Sequence, residues 1–235
     1  MKYRPAAERF HSQFDWLDSW HSFSFGGHYD PAWTGFGPLL VINDDSVAAG
    51  KGFGMHPHRD MEIITVMVEG QVNHRDSMGH ASVLKAGEVQ RMSAGTGIVH
   101  SEMNLGEDNC RFLQIWIQPN ASGLDPAYEQ KPFLIGRDWT RLLDPRREEG
   151  AMAIARDVHL WRAKPRVGDD LSMPDEGGDL LWLQVIDGSI SWPEMGDDPV
   201  QLKRGDGVGI PRQDPRLQQL QAEEEKTDVL LFAFQ

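Results

Sequence analysis

The amino-acid sequence predicts an all-β protein built as two barrels in tandem, 1–120 and 121–235. Three observations carry this. Short β-branched and apolar runs closed by turn residues recur along the chain, with little helical periodicity in the first half. The second half repeats the turn and strand chemistry of the first at one constant offset. The first half also sets two pairs of metal-ligand side chains at strand spacing, which a closed sheet would bring together.

In chain order, residues 14–38 are rich in aromatics and glycine (Phe14, Trp16, Trp20, Phe23, Phe25, Tyr29, Trp33, Phe36), and Tyr29-Asp30-Pro31 reads as a turn. Leu39–Asn43 is an apolar strand. Arg59 and Asp60 form the turn before another strand, Ile63–Val68, which Glu69-Gly70 ends. Ser82–Leu84 and Val89–Met92 flank a tight turn at Ala86-Gly87-Glu88. Cys110–Gln118 is the final strand of this half, and a loop-like stretch over Pro119–Pro132 holds the boundary. A shift of 118 carries Glu69-Gly70 onto Asp187-Gly188, and Leu84–Glu88 onto Leu202–Asp206. The same shift carries Phe112–Ile117 onto Leu230–Gln235. Three elements at one offset imply two copies of one unit.

The candidate site lies between Gly50 and Asn104. Residues two apart on a strand share a face and stand roughly 6.5 Å apart along it. His56 and His58 therefore present two imidazoles on one face, and His100 and Glu102 an imidazole and a carboxylate on another. If the strands are neighbours, four ligands converge on one metal ion. Gly50 and Gly70 bracket the first pair, and Gly87, Gly95 and Gly97 precede the second. The offset maps His56, His58, His100 and Glu102 onto Pro174, Glu176, Gln218 and Leu220, so the second barrel is expected to lack the site. His159 stands alone there and reads as structural. His11, His74 and His80 read as exposed, while His21 and His28 could line a pocket mouth.

The spacing resembles the two cupin motifs: glycine, His-x-His, three further residues, a glutamate and glycine, then a glycine-rich turn and a third histidine. More closely, His56–Glu62, Ser93–Glu102 and the aromatic stretch resemble the pirin family, near its bacterial quercetinase-type members, over roughly residues 12–118. The resemblance implies double-stranded β-helix (jelly-roll) barrels and takes Glu102, not Glu62, as the fourth ligand. Strand geometry favours Glu102 too, since it shares a face with His100. Glu62 then becomes a supporting partner of a bound histidine, and seven residues instead of six separate it from Gly70. Three imidazoles and a carboxylate suit Fe(II), Ni, Mn, Cu or Zn by softness, and the resemblance selects Fe(II). The implied activity is dioxygen-dependent opening of a flavonol such as quercetin, with Glu102 as general base. The alternative is a metal-containing redox sensor acting through a protein partner. A metal-independent sugar isomerase would not need four convergent ligands.

Composition narrows the remaining classes. A net charge of −13, from 36 acidic and 23 basic residues, disfavours direct nucleic-acid binding. Arg141, Arg146 and Arg147 are followed at once by Glu148 and Glu149, which reads as a mixed solvated loop. No apolar run is long enough to span a membrane. Met1–Pro5 leads into polar sequence without a signal core, so the cytoplasm is the expected compartment. Cys110 is the single cysteine, which excludes an intrachain disulfide and any thiolate-rich metal site.

Overall fold

Strands buried on both faces form the centre of the N-terminal half, and alternating burial appears in strands such as Leu17–His21 and Gln71–Asp76. The computed structural model describes residues 1–192, 200–218 and 220–235. Strand Glu62–Glu69 is apolar on both faces and buried over most of its length, so it sits centrally, between Glu88–Ser93 and Cys110–Ile117. The antiparallel sheet continues from Ala127–Pro132 at one edge, through these three, to Leu39–Val47, Leu17–His21 and Phe10–Phe14. A second, four-stranded sheet runs in the order Gly52–His58, Ile98–Met103, Gln71–Asp76, Ala81–Lys85. Val72, Leu84 and Phe53 of the second sheet pack on Met67, Cys110 and Phe112 of the first. Ile63, Ile64, Val66 and Met67 are fully buried, each worth about 1.5–3 kcal/mol of burial.

The C-terminal half repeats this layout. A six-stranded sheet runs Lys2–Arg4, Gly207–Pro211, Leu180–Asp187, Asp228–Phe234, Val158–Ala163, Thr140–Leu143. A four-stranded one runs Asp170–Leu171, Leu220–Ala222, Ser189–Trp192, Val200–Lys203. The offset of 118 carries Glu62–Glu69 onto Leu180–Asp187, end to end. The turn glycines Gly70 and Gly188 share a left-handed backbone, φ +70° and +69°, which is why both copies keep glycine there. Each copy also buries a two-pronged ion pair between adjacent central strands, Arg111 with Asp44 and Arg162 with Asp228.

Chain contacts divide the molecule differently from a cut at residue 120. One unit is Arg9–Phe133 with Ile154–Arg156; the other is Met1–Glu8, Leu134–Ala153 and Asp157–Gln235. The stretch expected as loop contains the strand Ala127–Pro132, which pairs with Glu88–Ser93 and so belongs to the first unit. The first residues, by contrast, pair with Gly207–Pro211. Neither edge pairing has a hydrophobic periodicity that sequence could display. The described helices are 3-10 turns of three or four residues, and none is long and apolar enough to cross a membrane.

Candidate metal centre

Strands Gly52–His58 and Ile98–Met103 pair antiparallel with His100 directly opposite His56. A register shift follows, because Glu102 pairs with Phe53. One donor nitrogen each from His56, His58 and His100 lies within 4.8 Å of the other two. The ring centroids are 4.5 Å apart for His56 and His100, and 4.8 Å for His56 and His58. His56 Nδ1 donates to the Gly54 carbonyl at 2.7 Å, which leaves its Nε2 lone pair free to coordinate. Trp116 meets the His58 ring edge-on at 5.0 Å.

His100 is fully buried, and neither ring nitrogen has a hydrogen-bond partner. Two orphaned polar atoms in such a place are costly unless something coordinates them. Burial, then the His56 and His74 rings, lower the His100 pKa to about 3; burial, then the His100 and His56 rings, lower His58 to about 4. Both are therefore neutral at pH 7 and present lone pairs. The donor set fits a divalent transition ion.

Glu102 is buried and borders the same cavity, but its carboxylate falls outside that group of three. Thr65 Oγ1 (2.9 Å) and Gln90 Nε2 (3.2 Å) donate to Oε1, and Gln114 Nε2 (2.6 Å) donates to Oε2. These three donors come from the larger sheet and were not singled out by sequence. Glu62 does not support a histidine here. It accepts from Ser93 Oγ at 2.8 Å and from the Ala155 backbone, and burial raises its pKa.

The cavity, about 270 Å³, is bordered by His56, His58 and Glu102. Phe14, Phe25, Phe53 and Trp116 supply apolar walls, and Ser12, Ser19, His21, Asn43 and Asp45 a polar one. His21 thus lines the cavity, while His28 reaches it through Ser12 Oγ at 3.0 Å. His11 is partly covered by Trp20, and His80 is exposed. His74 is not exposed: it is fully buried on the strand Gln71–Asp76, stacked on Tyr128 at 4.5 Å and bonded to Asp76 at 3.0 Å. The alternation of Val72 and His74 toward the interior was its only sequence signal.

His159 is not alone either, since Asp144 and Glu176 approach it. Arg141 occupies that cluster, with Nη1 2.9 Å from Asp144 and Nη2 2.6 Å from Glu176. Of the positions equivalent to His56, His58, His100 and Glu102, Pro174 and Leu220 carry no donor, and the Gln218 side chain lies outside the described residues.

Residues 4–117 match the family model Pirin, and residues 142–233 match the model described as quercetinase C-terminal cupin domain. A protein named quercetin 2,3-dioxygenase from Escherichia coli K12 is 42% identical over 209 residues, 88% of each chain. A putative quercetin 2,3-dioxygenase from Pseudomonas aeruginosa is 39% identical over 218 residues, 91% of each. The bacterial pirin YhhW from Escherichia coli, solved in complex with nickel(II), superposes with TM-score 0.90 at 39% identity, covering 99% of this chain and 98% of that one. With two cupin domains in tandem and both halves matched, the chain belongs to the pirin family.

Proposed function

We propose that this protein is a pirin-type metal-dependent dioxygenase that cleaves a flavonol such as quercetin with dioxygen, releasing carbon monoxide. The observation that carries the reading is the group of three close imidazoles: His56 and His58 line an aromatic cavity, and His100 beside them is buried with both nitrogens orphaned. Fe(II) is the ion the family resemblance implies, and nickel(II) is the one held by the Escherichia coli relative. When bound, a divalent transition ion supplies Lewis acidity and open positions for a substrate oxygen and dioxygen. His56, His58 and His100 would hold it, and Glu102 is assigned as the fourth ligand.

Thr65 and Gln90 take up Oε1 and Gln114 takes one lone pair of Oε2, so Glu102 would offer the ion the remaining lone pair of Oε2. The same carboxylate is assigned to accept the proton of the flavonol 3-hydroxyl. Trp116 and the phenylalanines would flank the planar substrate and exclude water. The test is metal analysis followed by oxygen uptake with a flavonol panel. We expect His100→Ala to abolish metal binding. Glu102→Gln, whose amide still offers an oxygen but is a poor base, should lower turnover tenfold or more while lowering metal content far less. Absence of oxygen uptake with every flavonol, from metal-replete protein, overturns the reading.

A further inference from the structure

The polar wall of the cavity takes no part in the chemistry above, yet it is built with care. Asn43 and Asp45 stand two apart on the strand Leu39–Val47 and so share a face, with only 2% and 3% of their surfaces exposed. Neighbouring side chains orient both. His21 Nδ1 donates to Asn43 Oδ1 at 2.8 Å, and Ser12 Oγ donates to His21 Nε2 at 2.9 Å. This leaves the Asn43 amide N–H groups unused. Ser19 Oγ donates to Asp45 Oδ1, leaving Oδ2. Among the described residues, neither Asn43 Nδ2 nor Asp45 Oδ2 has a hydrogen-bond partner, and both side chains border the cavity. An amide donor and a carboxylate oxygen left unspent on one cavity wall are open to a ligand or to water.

We infer that Asn43 and Asp45 form a subsite for two adjacent ring hydroxyls, the catechol edge of the aromatic substrate. Asp45 Oδ2 accepts from one hydroxyl, and Asn43 Nδ2 donates to the oxygen of the next. The ligand chemistry follows from the pairing. A carboxylate would face both Asp45 and Glu102 across one cavity, and an ammonium would leave the Asn43 donors unmatched. A hydroxyl is donor and acceptor at once, so two of them satisfy both partners. The inference rests on the flavonol reading and deepens it, because such a site discriminates between ring-hydroxylated substrates and their deoxygenated analogues.

The test is anaerobic binding to metal-replete protein at pH 8, where the Asp45 carboxyl is ionised and its free oxygen is an acceptor, followed by fluorescence. The ligands are quercetin, a flavonol lacking its two adjacent ring hydroxyls, and free catechol. Asp45→Asn keeps the side-chain volume and the bond from Ser19 but turns the free oxygen into a donor. We expect it to weaken quercetin about tenfold or more, with the deoxygenated flavonol changed by less than about twofold. Quercetin affinity retained in folded, metal-replete Asp45→Asn overturns the subsite. Should that variant not fold, Asn43→Ser must give the same selective loss, and its absence overturns the subsite equally. If the wild type binds neither flavonol, the flavonol reading fails, and catechol decides the subsite on its own. Weaker catechol binding by Asp45→Asn upholds it; equal binding sinks it.

Discussion

Two buried groups of the N-terminal unit are pushed toward neutrality from opposite directions. His100 resists taking a proton and Asp45 resists losing one, and burial is the first cause of both. The Asp45 carboxyl is raised to about 7; the Ser19 hydroxyl pulls against burial, while the charges of Asp44 and Glu102 add to it. An acid whose folded pKa lies above its unfolded value of about 3.9 favours folding most at low pH. Stability is therefore lost as pH rises from about 4 through about 7, by roughly 3–4 kcal/mol from this group alone. Asp45→Asn should accordingly gain on the wild type at pH 8 and lose that gain near pH 4.5. Urea midpoints of the metal-free proteins at the two pH values check this, and a gap independent of pH would refute it. Sequence could not expose this residue. Asn43-Asp44-Asp45 reads as polar residues ending an apolar strand, whereas the strand runs on to Val47. Asp44 pairs with Arg111, and its two neighbours border the cavity. The histidines were legible because His-x-His states its geometry in the spacing itself.

Pairing of Gly52–His58 with Ile98–Met103 is the element on which the three imidazoles depend. Its tightest point is Gly52, where a Cβ would lie 2.3 Å from the Glu102 carbonyl oxygen and 2.7 Å from Met103 Cα. Its φ of +150° is also strained for any other residue. Gly52→Ala should push the two strands apart, cost about 2–4 kcal/mol and lower metal occupancy by displacing His56 and His58. A variant with unchanged melting midpoint and full metal content would show that the pairing does not set the site. Strand existence and the repeat were readable, since β-branched runs and turn glycines are local signals. Edge pairings were not, because Ala127–Pro132 and Lys2–Arg4 are recruited by partners distant in sequence. The supporting shell escaped for the same reason. Thr65, Gln90 and Gln114 lie on three separate strands, and no local spacing announces that they meet at Glu102.

At the scale of the whole molecule, the two copies of one layout have diverged in what they place among their sheets. The N-terminal unit gathers imidazoles, the C-terminal unit a lattice of opposite charges. Asp144, His159 and Glu176 come within 4.8 Å of one another, as a metal site requires. Arg141, however, already bridges Asp144 and Glu176 and lies 3.2 Å from Glu148 and 3.4 Å from Glu149. A divalent ion about 4 Å from that guanidinium would meet roughly 8 kcal/mol of repulsion at an effective dielectric of about 20. It would also have to break the ion pairs that hold Arg141, which is nearly fully buried. One divalent ion per chain should therefore saturate the protein, and His159→Ala should leave that stoichiometry unchanged while His100→Ala removes it. Metal analysis after dialysis against excess ion measures both. A second equivalent that vanishes in His159→Ala would mean that the carboxylates outcompete the arginine, and that the C-terminal unit has kept a site of its own.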